Sequence, residues 1–174
     1  MNVLIVYDST YGNTERIARA ITGRLTGARL ITAEEAGTLT SHQCDLLIVG
    51  GPTQRHAVSA AMRALLEDLP RGTCKGMHAA AFDTRYRMFV FLTGSAATWI
   101  ASRLKRAGAS LVLPPESFFM ERDVPPQGEK RRHELENLEP GEEQRAGEWA
   151  MTILARMAPT QACSDHFTMT NSRE

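Results

Sequence analysis

The chain has 174 residues, of which 43% are hydrophobic and 23% charged, and these proportions are ordinary for a soluble globular protein. Its 20 basic and 20 acidic side chains cancel, so the strong net positive charge typical of nucleic-acid-binding proteins is absent. No apolar run approaches the roughly 20 residues that a membrane-spanning helix needs, which argues against a membrane protein. The three cysteines are odd in number and widely spaced, which argues against a disulfide framework or a zinc site and predicts reduced thiols at Cys44, Cys74 and Cys163.

The length fits one compact domain, which we assign to residues 1–158, with a mobile tail at residues 159–174. A proline- and charge-rich stretch at residues 122–139 has little apolar content and is predicted to be a surface excursion before the last helix. The chain begins with an apolar segment at residues 3–6 rather than with a basic leader. We therefore expect no secretory signal and a cytoplasmic location.

The first half of the chain alternates predicted strands and helices. A β-branched, apolar run at residues 2–7 predicts a strand buried on both faces of a parallel sheet. A helix predicted to end at Gly27 follows, because apolar residues recur at helical spacing at Ile17, Ala18, Ile21 and Leu25. Apolar runs then predict a second strand at residues 30–32 and a third at residues 45–49, which ends in Gly50-Gly51-Pro52.

The second half continues this alternation. Its predicted helices cover residues 57–69, a segment capped by Ser95 that runs to Arg106, and about 140–157. A fourth strand is predicted at residues 77–82, and a fifth at residues 110–113 that Pro114-Pro115 interrupts before residues 117–120. Five strands that alternate with helices imply a doubly wound parallel sheet with helices on both faces, since parallel strands need crossover connections.

The loop after the first predicted strand, residues 8–14, carries groups suited to a phosphate. In open α/β sheets a ligand lies beyond the carboxyl ends of the strands, where the strand order reverses, and this loop lies there. It offers Gly12, which allows close backbone approach, the amides of a helix N-terminus, and polar side chains at Ser9, Thr10, Asn13 and Thr14. The same residues also suit a plain helix cap, so the residues alone leave both interpretations open.

Missing residues narrow the class of phosphate ligand. A nucleoside-triphosphate P-loop needs a Gly-Lys-Ser/Thr sequence, and no lysine precedes Lys75. A dinucleotide fingerprint needs three spaced glycines, and the loop has only Gly12. A phospho-acceptor receiver domain needs an acidic cluster after the first strand and an aspartate at the end of the third, where this chain has Gly50-Gly51-Pro52. These three classes are therefore rejected.

The segment Ser9-Thr10-Tyr11-Gly12-Asn13-Thr14 resembles the phosphate loop of flavodoxins, which commonly reads Ser/Thr-x-Thr-Gly-Asn-Thr. It departs at Tyr11, where the family usually has threonine. The resemblance implies a flavodoxin-like fold, with a five-stranded parallel sheet in the order 2-1-3-4-5, and FMN as the cofactor. Residues 50–53 similarly resemble the second flavin loop of the family, and residues 82–86 stand in the place of the third. The implied cofactor-binding residues are Ser9, Thr10, Tyr11, Gly12, Asn13, Thr14, Pro52, Thr53, Gln54, Arg55, His56, Asp83, Thr84, Arg85 and Tyr86.

The implied flavin-ring surroundings depart from the family pattern. Flavodoxin-like proteins usually clamp the ring between aromatic side chains and carry an acidic surface, whereas the second loop here has no aromatic residue. Tyr86 is the candidate to stack on the ring, although packing on its own scaffold explains it equally. We hypothesise that Arg55, Arg85 or Arg87 near the ring would stabilise the reduced, negatively charged flavin and raise its potential. His56 is a candidate hydrogen-bond or proton donor, with an exposed loop position as the alternative.

The resemblance implies an FMN-binding protein that acts in electron transfer or as a flavin-dependent oxidoreductase. Two alternatives stay open: an NAD(P)H-dependent FMN reductase of quinones or small acceptors, and a flavin-free binding or regulatory module. The expected partners are a redox protein or a small-molecule acceptor, and the expected state is a monomer or homodimer. We find no nucleophile with a paired base and no metal-ligand spacing, so no catalytic side chain and no metal is predicted.

Overall fold

A computed structural model describes residues 1–37, 39, 44–53, 58–67, 69–87, 94–121 and 137–158. The strands in these residues are β1 (Val3–Tyr7), β2 (Arg29–Thr32), β3 (Leu46–Pro52), β4 (His78–Tyr86), β5 (Ser110–Leu111) and β6 (Glu116–Met120). The helices are α1 (Asn13–Thr22), α2 (Ala33–Ala36), α3 (Ala60–Leu66), α4 (Ala96–Arg106) and α5 (Glu142–Met157). Within this described part, none of the helices has the length and apolar character needed to cross a membrane.

All of these strands pair in parallel in one sheet, in the order β2-β1-β3-β4 followed by β5 and β6. Both β5 and β6 pair with β4, β5 against its first residues and β6 against its last. They are therefore two parts of one fifth strand, separated where Pro114-Pro115 withholds two backbone donors. The order implied by the family resemblance is confirmed, as is the interruption of the last strand.

Helices cover both faces of the sheet. Side chains alternate across each strand, so Val3 and Ile5 of β1 join one core while Leu4 and Val6 join the other. The first core lies under α1 and α5 and includes Phe82 in its centre. The second core lies under α2, α3 and α4. The predicted doubly wound architecture is confirmed.

Helix α1 ends earlier than predicted, at Thr22 rather than near Gly27. The hydroxyl of Thr22 donates to the Ala18 carbonyl at 2.7 Å, and Gly23, a poor helix former, follows. Leu25 then enters the core from a turn, with its N–H on the Thr22 carbonyl at 3.0 Å. The apolar pattern predicted a longer helix because Leu25, although it lies in a turn, is buried in the same core as the apolar residues of α1.

Strands β3 and β4 extend further than predicted, and this changes the description of two predicted loops. Residues 50–52 belong to β3, and residues 82–86 belong to β4. Residues 82–84 pair with both β3 and β6, and residues 85–86 pair with β6, so the polar residues of this segment belong to the sheet. The assignment of residues 82–86 to a loop after the fourth strand is therefore wrong. The polar residues Asp83, Thr84 and Arg85 favoured a loop, although they lie in a buried strand.

Other boundaries also differ. Helix α3 begins after Ser59, whose hydroxyl caps the Met62 N–H at 3.1 Å, and the short helix α2 was not predicted. Residues 137–139 run antiparallel to the end of β6. Residues 122–136 of the excursion predicted at 122–139, the predicted tail and Cys163 lie outside the described residues. Cys44 and Cys74 are buried free thiols.

Candidate functional site at the carboxyl edge of the sheet

The carboxyl ends of β1, β3 and β4 meet at one edge of the sheet, where the candidate site residues lie. The chain passes from β1 to β2 on one side and to β3 on the other, so the strand order reverses beside β1. The backbone N–H of Asp8 donates to the Gly50 carbonyl at 3.0 Å, which attaches the first loop to the end of β3. This is the switch point at which open α/β sheets bind their ligands.

The first loop turns into α1 at Gly12, which has a left-handed backbone with φ of 85°. Apart from Gly12 itself and its two chain neighbours, no described residue has an atom within 4 Å of the place that a Cβ on Gly12 would occupy. No described side chain caps the helix from this N-cap position, although the Ser9 hydroxyl accepts from the Glu15 N–H at 3.3 Å. The helix N-terminus is therefore open to close approach beside Gly12 and carries the partial positive charge of the helix dipole.

Thr14 and Thr84 link the first loop to β4. Their hydroxyl oxygens lie 2.8 Å apart, and each residue is 1% exposed. Each hydroxyl has one hydrogen, and the pair uses only one of the two in its mutual bond. One hydrogen therefore remains for an acceptor at this position, such as a phosphate oxygen.

Asn13 and Tyr11 occupy different surroundings in the same loop. Asn13 is buried, and its side-chain amide donates to the sulfur of Met120, at the end of β6, at 3.5 Å. Tyr11 is 51% exposed. The residue that departs from the family pattern thus lies at the surface, while the residues that match the pattern at positions 13 and 14 are buried.

Asp83 is fully buried and gathers groups from three elements. One carboxylate oxygen, Oδ2, accepts from the Thr53 hydroxyl at 2.9 Å, the Ser95 hydroxyl at 2.7 Å and the Ala97 N–H at 3.0 Å. We call these four residues the Asp83 network. It joins the end of β3, the end of β4 and the N-terminus of α4.

Thr53 is held within this network by both capacities of its hydroxyl. The hydroxyl hydrogen goes to Asp83, and the oxygen accepts from the Ala96 N–H at 2.9 Å. Its backbone N–H donates to the Thr84 carbonyl at 3.0 Å. Because a hydroxyl has only one hydrogen, the side chain of Thr53 has none left to donate to a ligand.

The two arginines that follow Asp83 differ in burial. Arg85 is 8% exposed, donates from Nε to the Ser117 hydroxyl at 3.0 Å and lies over the Phe119 ring at 5.4 Å. Arg87 is exposed, forms a bidentate ion pair with Glu139 at 3.2 and 2.7 Å, and lies 4.1 Å from the same ring. Hydrogen bonding from Arg87 lowers the pKa of the Glu139 carboxyl. The buried Arg85 is thus a fixed positive charge close to the site.

No protein-family model and no curated protein matches the sequence. Solved structures match the fold. Oxidised flavodoxin 1 from Bacillus cereus has a TM-score of 0.69 at 16% identity, with 89% of this chain and 98% of that chain covered. Oxidised flavodoxin 2 from the same organism gives 0.66 at 22%, with 90% and 99% covered. Rubredoxin oxygen:oxidoreductase from Desulfovibrio gigas gives 0.57 at 17%, with 90% of this chain and 37% of that chain covered.

This chain has the flavodoxin fold. Its flavodoxin-like sheet brings together two groups of the predicted site residues, Thr14 with Thr84 and Thr53 with Asp83. Pro52 is buried at the end of β3, and Tyr86 is half-buried at the end of β4. Gln54, Arg55 and His56 lie outside the described residues.

Sequence reasoning did not find three residues that shape the site. Ser95 was predicted as a helix cap, and it does accept from the Thr98 N–H at 3.2 Å, but its bond to Asp83 was missed. Met120 and Ser117 of β6 were not singled out at all. Their contacts depend on which strands are neighbours, and residue type and spacing along one chain do not contain that information.

Proposed function

We propose that the chain binds FMN at the carboxyl edge of its sheet and acts in electron transfer or as a flavin-dependent oxidoreductase. The observation that carries the proposal is the first loop, whose Ser-Thr-Tyr-Gly-Asn-Thr sequence folds into an open, left-handed turn at the N-terminus of α1. This turn lies at the switch point of a flavodoxin fold. Sequence, backbone geometry and position therefore favour the same ligand.

The donor set of this loop fits a phosphate monoester. The Ser9 oxygen accepts from Glu15, which leaves the Ser9 hydrogen available to a phosphate oxygen. The Thr14 and Thr84 pair offers one further hydrogen. Gly12 leaves room for the phosphate against the helix N-terminus, where backbone amides and the helix dipole favour an anion.

The residues at the ends of β3 and β4 form the ring half of the proposed site, which would hold the flavin ring. Bound FMN would supply electron or hydride transfer. The residues of this chain would position it and set its electrostatics. Tyr86 is the described aromatic residue at the end of β4, and Arg85 supplies a buried positive charge beside it. A nearby positive charge stabilises a reduced, anionic ring relative to an oxidised, neutral one.

A titration of the flavin-stripped protein with FMN, followed by flavin fluorescence, tests the proposal. We expect saturable binding that is at least tenfold tighter for FMN than for riboflavin, because riboflavin lacks the phosphate. Thr14→Val should weaken the binding of FMN and leave the binding of riboflavin nearly unchanged, since valine has nearly the same volume as threonine but lacks the hydroxyl. Thr14→Ser, which keeps the hydroxyl, is the control and should bind FMN within about threefold of the parent.

Equal affinity for FMN and riboflavin would reject the phosphate site. Absence of binding to both would reject a flavin-binding function and favour the flavin-free module. The Thr53 hydroxyl supports that alternative, because its hydrogen is already used in the bond to Asp83 and its oxygen accepts from the Ala96 N–H. If FMN binds, oxidation of NADH or NADPH with a quinone as acceptor separates the two remaining functions. A reductase turns over with these reagents alone, whereas an electron carrier needs a separate reductase.

A further inference from the structure

The carboxylate of Asp83 occupies an unusual position, because it is a charged group with no exposed surface inside the sheet edge. A buried carboxylate is costly unless hydrogen bonds or an opposite charge compensate it. Here three donors converge on one oxygen, and they come from the residue after β3, from the residue before α4 and from the first turn of α4. A single side chain thus fixes three segments that border the proposed site.

The second oxygen, Oδ1, points to a further role. It accepts no hydrogen bond from the described residues, and the Nε of Arg85 lies 3.9 Å from it. Arg85 follows two residues later on the same strand, so both side chains project from the same face of the sheet. Since Arg85 is itself buried and bonded to Ser117, the two charges form a fixed pair beside the end of β4.

We propose that Asp83 is a positioning residue of the FMN site, which holds the end of β3 and the start of α4 against β4 and offsets the charge of Arg85. The inference rests on the proposed function and adds a role to it. Asp83 does not reach the ligand through its network oxygen, because all three groups around that oxygen belong to the protein. Its effect on FMN is carried by Thr53, by the N-terminus of α4 and by Arg85.

The chemistry of the network requires a carboxylate. Asparagine has the same shape, but one of its two terminal atoms is an NH2 group, which donates hydrogen bonds and accepts none. In Asp83→Asn, the three donors face a neutral oxygen if the amide oxygen points toward them. If the amide NH2 group points toward them instead, donors face a donor and no hydrogen bond forms. The substitution also removes the negative charge that faces Arg85. Both effects act on the ring half of the site and leave the loop at residues 9–14 intact.

The experiment compares the binding of two ligands, FMN and inorganic phosphate, in matched variants of the full chain. Asp83→Asn should weaken FMN binding at least tenfold, while binding of inorganic phosphate, followed by amide shifts of Gly12 and Thr14, should change less than twofold. Thr53→Val should weaken FMN at least threefold, and Thr53→Ser should restore it to within twofold. Ser95→Ala keeps the carboxylate but removes both the bond to Asp83 and the cap on the Thr98 N–H, and it should weaken FMN less than Asp83→Asn does.

The midpoint potential of bound FMN separates positioning from plain stabilisation. Loss of the negative charge in Asp83→Asn should raise the potential, and loss of the positive charge in Arg85→Gln should lower it. A network that only stabilises the fold would lower the melting temperature without these opposite shifts. Unchanged FMN affinity in Asp83→Asn and Thr53→Val would overturn the inference and leave the proposed function standing. Failure of the parent protein to bind FMN would overturn both.

Discussion

Gly50 shows at the scale of one residue how closely the sheet is packed beside the site. A Cβ on Gly50 would lie 2.1 Å from the tip of the Phe82 ring, whereas one on Gly51 would meet its nearest neighbour, in the Met62 side chain, at 3.8 Å. Phe82 also contacts Phe118 and Trp149 edge to face, with ring centroids 5.9 and 6.2 Å away. The ring therefore has neighbours on several sides and little room to move.

This contrast gives a matched pair of substitutions. Gly50→Ala should destabilise the protein by about 2–3 kcal/mol, because overpacking a rigid core forces side chains and backbone to shift. Gly51→Ala adds the same methyl group one residue later and should change the free energy of unfolding by less than about 1 kcal/mol. Urea unfolding of both variants measures the difference. Equal effects would mean that the Phe82 ring relaxes freely.

Strand β4 continues through polar residues that are buried at its carboxyl end. Its last residues are polar, and polar letters normally mark the end of a buried strand. In the structure Asp83, Thr84 and Arg85 stay buried because each finds a partner in a neighbouring segment, just after β3, in α1 and in β6 respectively. A strand can therefore continue through charged residues when the neighbouring elements satisfy them.

The attachment of residues 137–139 to the sheet predicts a contribution to stability that depends on pH. This segment is attached to the end of β6 by backbone hydrogen bonds with Phe119 and Glu121, and Glu139 forms an ion pair with Arg87, the residue after β4. A carboxyl whose pKa is lowered on folding stabilises the folded state above its usual pKa of 4.5, and that contribution disappears as the pH falls through the lower, folded-state value. Arg87→Gln should thus be less stable than the parent at neutral pH, and the gap should close in acid.

Thermal unfolding of the parent, Arg87→Gln, Glu139→Gln and the double variant across acidic to neutral pH checks this expectation. The effect should be small, because the arginine is exposed and screened by solvent. The double variant should lose no more than either single variant at neutral pH. A gap between parent and Arg87→Gln that persists well below pH 4.5 would show that Arg87 acts by its contact with the Phe119 ring instead.

The two buried thiols bear on the stability of the whole molecule. Burial raises the pKa of Cys44 from 9.0 to about 11 and also raises that of Cys74. The folded protein keeps these protons where the unfolded chain releases them, so the free energy of unfolding falls as the pH rises from about 9 towards 11. For Cys44 the loss is at most about 2.7 kcal/mol, at about 1.36 kcal/mol per pKa unit.

A Cys163→Ser background isolates these two thiols. In it, Cys44→Ala combined with Cys74→Ala should flatten the alkaline part of the stability curve, measured by urea unfolding at several pH values. A thiol reagent should react with the two native cysteines only at the rate at which the protein opens, because protonated, buried thiols are poor nucleophiles. Rapid labelling of both in the folded protein would contradict the burial that raises their pKa.

The fold class, the strand order implied by the family resemblance, and the first loop could all be predicted from the amino-acid sequence. These features depend on short-range patterns: apolar runs that make buried strands, helical spacing, and a glycine with polar neighbours at a strand end. The break at Pro114-Pro115 was equally readable, since proline withholds its donor wherever it stands. Local physics acts the same way in every context.

The arrangement of the site around Asp83 could not be predicted from the sequence, because it depends on contacts between distant residues. The burial of Asp83, the commitment of the Thr53 hydroxyl and the placement of Arg85 against Ser117 join residues that are 12 to 43 positions apart. A polar side chain becomes part of the core when partners from neighbouring elements satisfy its hydrogen bonds, and those partners are set by strand neighbours and register. One-dimensional spacing holds no record of either, so polar residues in a buried strand looked like a loop.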